Sequence, residues 1–192
     1  MYKNNAAFIP IFDDKTLAGW HFVPRLPIPR APGEPGPDTT TEEYRRAAQT
    51  SGKWTVEDGA ITGRQDPPGC GYGGYLLSDG VYGDFELVFE AHPDWPADTG
   101  ILVRASALGS QGFQILLDHR RSGNIGGIYG NGIGGFHGIR KHPLYNAAAV
   151  RDLLSPKGHI AFEIHDNDPG MGEARWAPNA ACRWRNIRIC EF

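Results

Sequence analysis

YGDFELVFEAHPDWPADTGILVRASALGSQGFQILLDHRR, residues 82–121, reads as three consecutive β-strands, each with one apolar and one polar face. Phe85, Leu87 and Phe89 alternate with Glu86, Val88 and Glu90; Ile101 and Val103 alternate with Gly100, Leu102 and Arg104; Phe113, Ile115 and Leu117 alternate with Gln114, Leu116 and Asp118. Side chains of a strand point to opposite faces in turn, so one register buries these large apolar residues together. The same register displays Glu90, Arg104, Gln114 and Asp118 on the other face. That face is either solvated surface or the floor of a groove, and the functional reading depends on which.

Working outward, shorter strands flank this block. Phe8 to Phe12 is an apolar strand followed by a turn, and Trp20 is expected to anchor the core. In Trp54 to Thr62, Asp58-Gly59 separates two alternating runs, a hairpin signal. Gly69 to Gly74 reads as a tight turn, because no strand-to-helix context makes it a phosphate loop. His159 to His165 and Arg183 to Phe192 are further alternating strands, the last with Trp184, Asn186, Arg188 and Cys190 assigned to one face. Thr41 to Gln49 is the best helix, with a threonine N-cap and acidic residues in its first turn. Eight glycines between Ser122 and Arg140 suggest a strand through Ile125–Tyr129, then a flexible loop carrying His137, Arg140 and His142.

The 192 residues suffice for one core, and 26 glycines, 15 prolines and 11% aromatics suit a turn-rich β-protein. The expectation is a single domain over 1–192, an antiparallel β-sandwich of the jelly-roll type. It carries a proline-rich loop and short helix inserted at 24–49 and a glycine-rich loop at 122–150. A net charge of -3 gives no polyanion-binding signature, and no apolar run reaches the roughly 20 residues of a membrane span. The N-terminus shows no leader pattern, so the expected compartment is cytoplasmic, or periplasmic or secreted if a leader has been removed. Three cysteines without ligand spacing are expected to be free thiols.

In order along the chain, FDDKTLAGW, WTVEDGAITG, YGDFELVFEAH, DTGILVRA, FQILLD, GGIYG, SPKGHIAFEIHD and RWRNIRICEF resemble the successive motifs of the 3-keto-disaccharide hydrolase family. The resemblance runs over nearly the whole chain. It implies a concanavalin-like jelly roll and a bacterial enzyme of carbohydrate catabolism acting on glycosides oxidised at C3. One segment of the family pattern, WNxYxI…WINGV, has no counterpart between Val150 and Arg151. The expectation there is missing residues or a shortened member, since a sandwich stripped of two central strands would not hold.

Two chemistries suit these residues. An ordinary glycosidase needs paired carboxylates, for which Glu90, Asp118 and Glu163 are available. A 3-keto sugar has an acidified C2 proton, so a base can remove it and the C1 substituent can leave. That route needs a base titrating near neutrality, His165 or His119, and a cation for the enolate oxygen, Arg104. The expected catalytic residues are His165, Arg104, Asp118 and Glu163, with Glu90, Gln114, His119, Tyr129 and His137 binding substrate. No cofactor is certain. A divalent metal could assist, with Asp118, His119, Glu163 and His165 as candidate ligands. The reading from a different class is a non-catalytic carbohydrate-binding jelly roll; a structural or partner-binding domain is a third.

Overall fold

The computed structural model describes residues 7–27, 38–121, 123–131, 135–137, 156–167 and 174–192, with backbone alone at 131 and 135–137. It is nearly all β. The strands are β1 (Ile9–Pro10), β2 (Trp20–Pro24), β3 (Lys53–Glu57), β4 (Ala60–Arg64), β5 (Gly74–Ser78) and β6 (Phe85–Pro93). They continue with β7 (Gly100–Ala105), β8 (Gly112–Leu117), β9 (Ile125–Asn131), β10 (Gly135–His137), β11 (His159–Ile164) and β12 (Cys182–Glu191). One helix, α1 (Glu42–Ala47), starts where Thr41 accepts a hydrogen bond from the Tyr44 amide, with Glu42 and Glu43 against the positive end of its dipole. No helix among the described residues is long and apolar enough to cross a membrane.

Two antiparallel sheets form a jelly-roll sandwich. One has seven strands in the order β10-β9-β8-β7-β11-β5-β2; the other has five, β1-β12-β4-β3 with β6 on the far side of β12. Between them the core is built on an aromatic spine. Trp54 packs on Trp184 at 5.7 Å, Trp184 on Phe162 at 5.0 Å and Phe162 on Trp20 at 5.4 Å. These rings join β3 and β12 to β11 and β2, so each apolar face covers the other. Replacing any of them with alanine would cost about 3–5 kcal/mol.

The alternation of 82–121 is observed, but its three strands do not form one sheet. β6 pairs along its length with β12, from Phe85 opposite Glu191 to Pro93 opposite Cys182. β7 pairs with β8 and β11 in the other sheet. Residues 94–99 carry the chain across, where Pro93 and Pro96 lack the amide that would continue a ladder. Glu90 is therefore on a different sheet from Gln114 and Asp118, correcting the single-face expectation.

A second correction concerns β12. Trp184, Ile187 and Ile189 all point into the core, which strict alternation forbids. The pairing with β6 shifts register between Arg185 and Arg188, and Asn186 has φ 54°. This bulge inserts one residue and reverses the parity, leaving Arg185 and Asn186 exposed. The Asp58-Gly59 hairpin is as expected, with φ 50° and 75°, the left-handed pair a two-residue turn needs. The N-terminal strand is shorter than Phe8 to Phe12. The loop following β10 and the Val150–Arg151 junction lie outside the described residues.

Candidate active site

Strand parity makes the outer face of the seven-stranded sheet unusual. Tyr75, Leu77, Leu102 and Ala161 form a second buried apolar cluster there, together with Val23 and Ala105. Beside it, at the end where β7 begins and β8 and β11 finish, Gln114, Glu163, Asp118 and Asp98 are buried as well. Polar groups removed from water need partners, and these have them.

Glu163 side-chain exposure is 0%, and Arg25 Nε lies 2.8 Å from its Oε1. Its Oε2 accepts from Gln114 Nε2. Gln114 belongs to β8 and Glu163 to β11, with β7 between them. The amide reaches across β7 because residue 100 is glycine: a Cβ there would lie 2.6 Å from Gln114 Nε2. Arg25 also holds Asp166, Nη1 to Oδ2 at 2.6 Å, and its Nη2 is 3.4 Å from His165 Nε2. His165 Nδ1 lies 2.7 Å from the Asp166 carbonyl oxygen and 2.8 Å from its carboxylate. The histidine backbone carbonyl is fixed by Gln65 Nε2 at 3.0 Å.

The network continues through Asp98. Its Oδ2 accepts from Arg175 Nη1, receives Arg120 Nη2 at 3.2 Å and lies 3.7 Å from His165 Nε2. Arg120 is held by Asp118, Nε to Oδ1 at 2.9 Å and Nη2 to Oδ2 at 2.7 Å. Three buried polar atoms of this network stand without hydrogen-bond partners among the described residues: Asp98 Oδ1, Asp166 Oδ1 and Arg175 Nε. The assembly meets solvent mainly at Asp166, Arg25, His165 and Arg175, whose side chains keep part of their surface.

Burial raises the Asp118 carboxyl, but hydrogen bonds from Arg120 outweigh it and hold the group below the usual range. Burial likewise opposes ionisation of Asp166, yet Arg25 and His165 hold it well down. For His165, burial and Arg25 push the imidazole down, while the bond to Asp166 pushes it up, and the net direction is upward. Arg25 is disfavoured by burial but kept charged by Asp166 and Glu163.

Of the residues expected from sequence, His165, Glu163, Gln114 and Asp118 come together here. Tyr129 joins the same row, paired directly opposite Gln114. His119 packs its ring 5.2 Å from Trp95 at the rim. Arg104 does not join them. It lies near the other end of β7, six residues beyond Asp98, roughly 20 Å along an extended strand. There it bonds Asp84 and the Pro156 carbonyl, in a cleft of about 330 Å³ lined also by Phe85, Val103 and Phe192. Its φ of 52° is a strained value for a side-chain-bearing residue. Glu90 sits on the five-stranded sheet, exposed, bonded to Arg185 and Asn186 at 2.7 Å each. The His137 backbone pairs opposite Ile128, and its side chain lies outside the described residues.

The candidate metal ligands do not converge: among the described residues no three His, Cys, Asp or Glu side chains form a metal-binding group. The carboxylates of Glu163 and Asp118 are bonded to Arg25 and Arg120, so their oxygens are already engaged.

Sequence reasoning missed Arg25, Asp98, Arg175 and Gly100. Extending the alternation of β2 by one residue would have put Arg25 on the face of His21 and Val23. Arg175 lies in a stretch without period and offered no signal.

The domain family described as 3-keto-alpha-glucoside-1,2-lyase-like matches residues 7–152, well over half of the chain. The matched span stops before β11 and β12, so the SPKGHIAFEIHD and RWRNIRICEF motifs lie outside it. Among solved structures, a "putative glycosyl hydrolase" from Parabacteroides distasonis ATCC 8503 covers 97% of this chain and 94% of its own, with 12% identity and a TM-score of 0.50. Another so described from the same organism covers 72% and 90%, with 13% identity and a TM-score of 0.46. At such identities the likeness concerns fold alone. No curated protein gives a significant match.

Proposed function

Since this chain belongs to the family of 3-keto-alpha-glucoside-1,2-lyase-like domains, we propose that it cleaves the anomeric bond of a 3-keto-glycoside on the outer face of its seven-stranded sheet. The observation that carries this reading is the His165–Asp166–Arg25 unit at the partly open edge of a buried charge network. The Asp166 backbone carbonyl accepts from Nδ1–H and fixes the tautomer, with the Asp166 carboxylate 2.8 Å away, leaving Nε2 as the base.

In the proposed reaction, neutral His165 takes the C2 proton of the sugar. The C–H electrons form a C2=C3 enolate, with negative charge on the former ketone oxygen. Arg175, whose Nε is buried without a partner among the described residues, supplies a donor for that oxygen, with Arg25 adding positive charge. Collapse of the enolate expels the C1 substituent with its electron pair, and that group takes a proton. Addition of water, hydroxyl to C1 and proton to C2, completes net hydrolysis. Glu163, Gln114 and Asp118 position the arginines, and Tyr129 lines the sugar side.

The test is a 3-keto-glucoside with a chromogenic leaving group, assayed with and without chelator beside His165→Gln and Arg104→Ala. Release that falls at least about 100-fold in the histidine variant, survives in Arg104→Ala and ignores chelator supports the reading. Release that depends on Arg104 and persists without His165 contradicts it. One observation favours a non-catalytic carbohydrate-binding module instead: Trp95 is 66% exposed. Tight binding of unoxidised oligosaccharide without any turnover would support that second reading.

A further inference from the structure

The chain has five tryptophans, and four of them, Trp20, Trp54, Trp176 and Trp184, are buried. Trp95 alone presents its ring to solvent. Indoles are rarely left exposed, because each carries a large apolar face. Mobility does not explain this one, since the chain is tied down on both sides of it. Asp94 receives the Ala181 amide at 3.0 Å and Arg183 Nη1 at 2.7 Å, and its own amide bonds the Ala181 carbonyl. Ala97 is fully buried, and the Asp98 amide bonds the Arg175 carbonyl.

The ring is also placed beside the charge network. Its neighbour is His119, and the residues flanking His119, Asp118 and Arg120, belong to that network. Asp98, the carboxylate that gathers Arg120 and Arg175, follows Trp95 by three residues. A flat apolar face is therefore carried on an anchored backbone at the rim of a polar site, with an imidazole against it.

We propose that Trp95 is the stacking platform for the ring of the departing group, and so sets the preference among leaving groups. This rests on the assignment of the network as the site of cleavage. The chemistry recognised is a flat ring, either a pyranose offering axial C–H bonds or an arene offering its face. A methyl substituent has neither. The platform acts in binding, raising affinity for ring-bearing substrates without touching the reacting atoms.

The other four indoles are buried away from ligand, so a ligand-dependent change in tryptophan emission that is absent from Trp95→Ala reports this surface. Titration with an unoxidised α-linked glucose disaccharide and with phenyl α-glucoside is expected to shift and saturate the emission, whereas an acyclic polyol such as glycerol leaves it unchanged. Disaccharide and phenyl ligands acting alike support a general ring platform; a response to one alone identifies its source. Trp95→Ala removes the response; Trp95→Phe removes the same reporter, so its retained stacking is read from KM, which is expected to rise less than in Trp95→Ala. With 3-keto substrates, Trp95→Ala raises KM about tenfold for ring-bearing leaving groups, with kcat and the methyl glycoside little changed. An unaltered titration or KM in Trp95→Ala overturns the proposal. Fluorescence saturation in a protein that turns over no 3-keto-glycoside sinks the lyase reading and leaves the platform standing.

Discussion

Glu90 on β6 and Glu163 on β11 each stand at the polar step of an alternating strand, and each faces an arginine at 2.7–2.8 Å. Glu90 and Arg185 keep 54% and 60% of their side-chain surface, while Glu163 keeps none and Arg25 keeps 19%. Water and salt screen the first pair, so it can separate at little cost. The second was desolvated on folding and is tied to Gln114, Asp166 and His165. A charge without its partner there has nowhere to go. The two outer faces of the sandwich thus use the same residue types for different ends, one for solubility and one for a fixed, preorganised charge array.

The largest effect should come from breaking that array. Arg25→Ala leaves the fully buried Glu163 and the part-buried Asp166 without their cation and is expected to cost about 3–5 kcal/mol in urea unfolding. Arg185→Ala on the other face should leave the unfolding midpoint unchanged within error. Equal effects would erase the distinction between the faces.

A smaller loss is expected for Gly100→Ala. The added methyl falls 2.6 Å from Gln114 Nε2 and 2.7 Å from its Cγ, displacing the amide from Glu163. Two buried groups then lose each other, about 1–3 kcal/mol. Gln114→Ala in the same chain should relieve the side-chain part of the clash, but neither the 2.9 Å approach of the new Cβ to the Ile115 carbonyl nor the unpaired carboxylate.

The smallest effect, and the one that sharpens the chemistry, is pH dependence. Asp118 and Asp166 titrate below their ordinary 3.8, so their contribution is present above that value and lost as pH falls through the folded values. His165 titrates above its ordinary 6.5, so its contribution is complete below 6.5 and lost as pH rises through the folded value. A base must be neutral, so activity should climb over the interval in which this stability fades. The unfolding midpoint and kcat/KM, measured across pH, are expected to move in opposite directions, and His165→Gln should flatten both.

Much of the fold was legible because the apolar period survives burial: Phe85, Leu87, Ile101 and Leu117 face the core as their spacing requires. Sheet membership was not legible. Nothing in the alternation of β6 and β7 says that the six residues between them change sheets, and that error put Glu90 beside Gln114. The bulge at Asn186 was hidden likewise, since one inserted residue reverses parity without altering composition. At the site, Glu163 and His165 were found because strand parity grouped them. Gly100 was not, because its role is the absence of a side chain under another strand's amide.

His165, on the outer face of the seven-stranded sheet, is predicted to remove the C2 proton of the sugar. Turnover of a 3-keto-glucoside in D2O, followed by NMR at C2 against an enzyme-free control, tests this directly. The prediction is deuterium at C2 in the sugar released by the native protein and by Arg185→Ala, with incorporation lost in His165→Gln. Cleavage that leaves the C2 hydrogen in place, or exchange undiminished in His165→Gln, would contradict it.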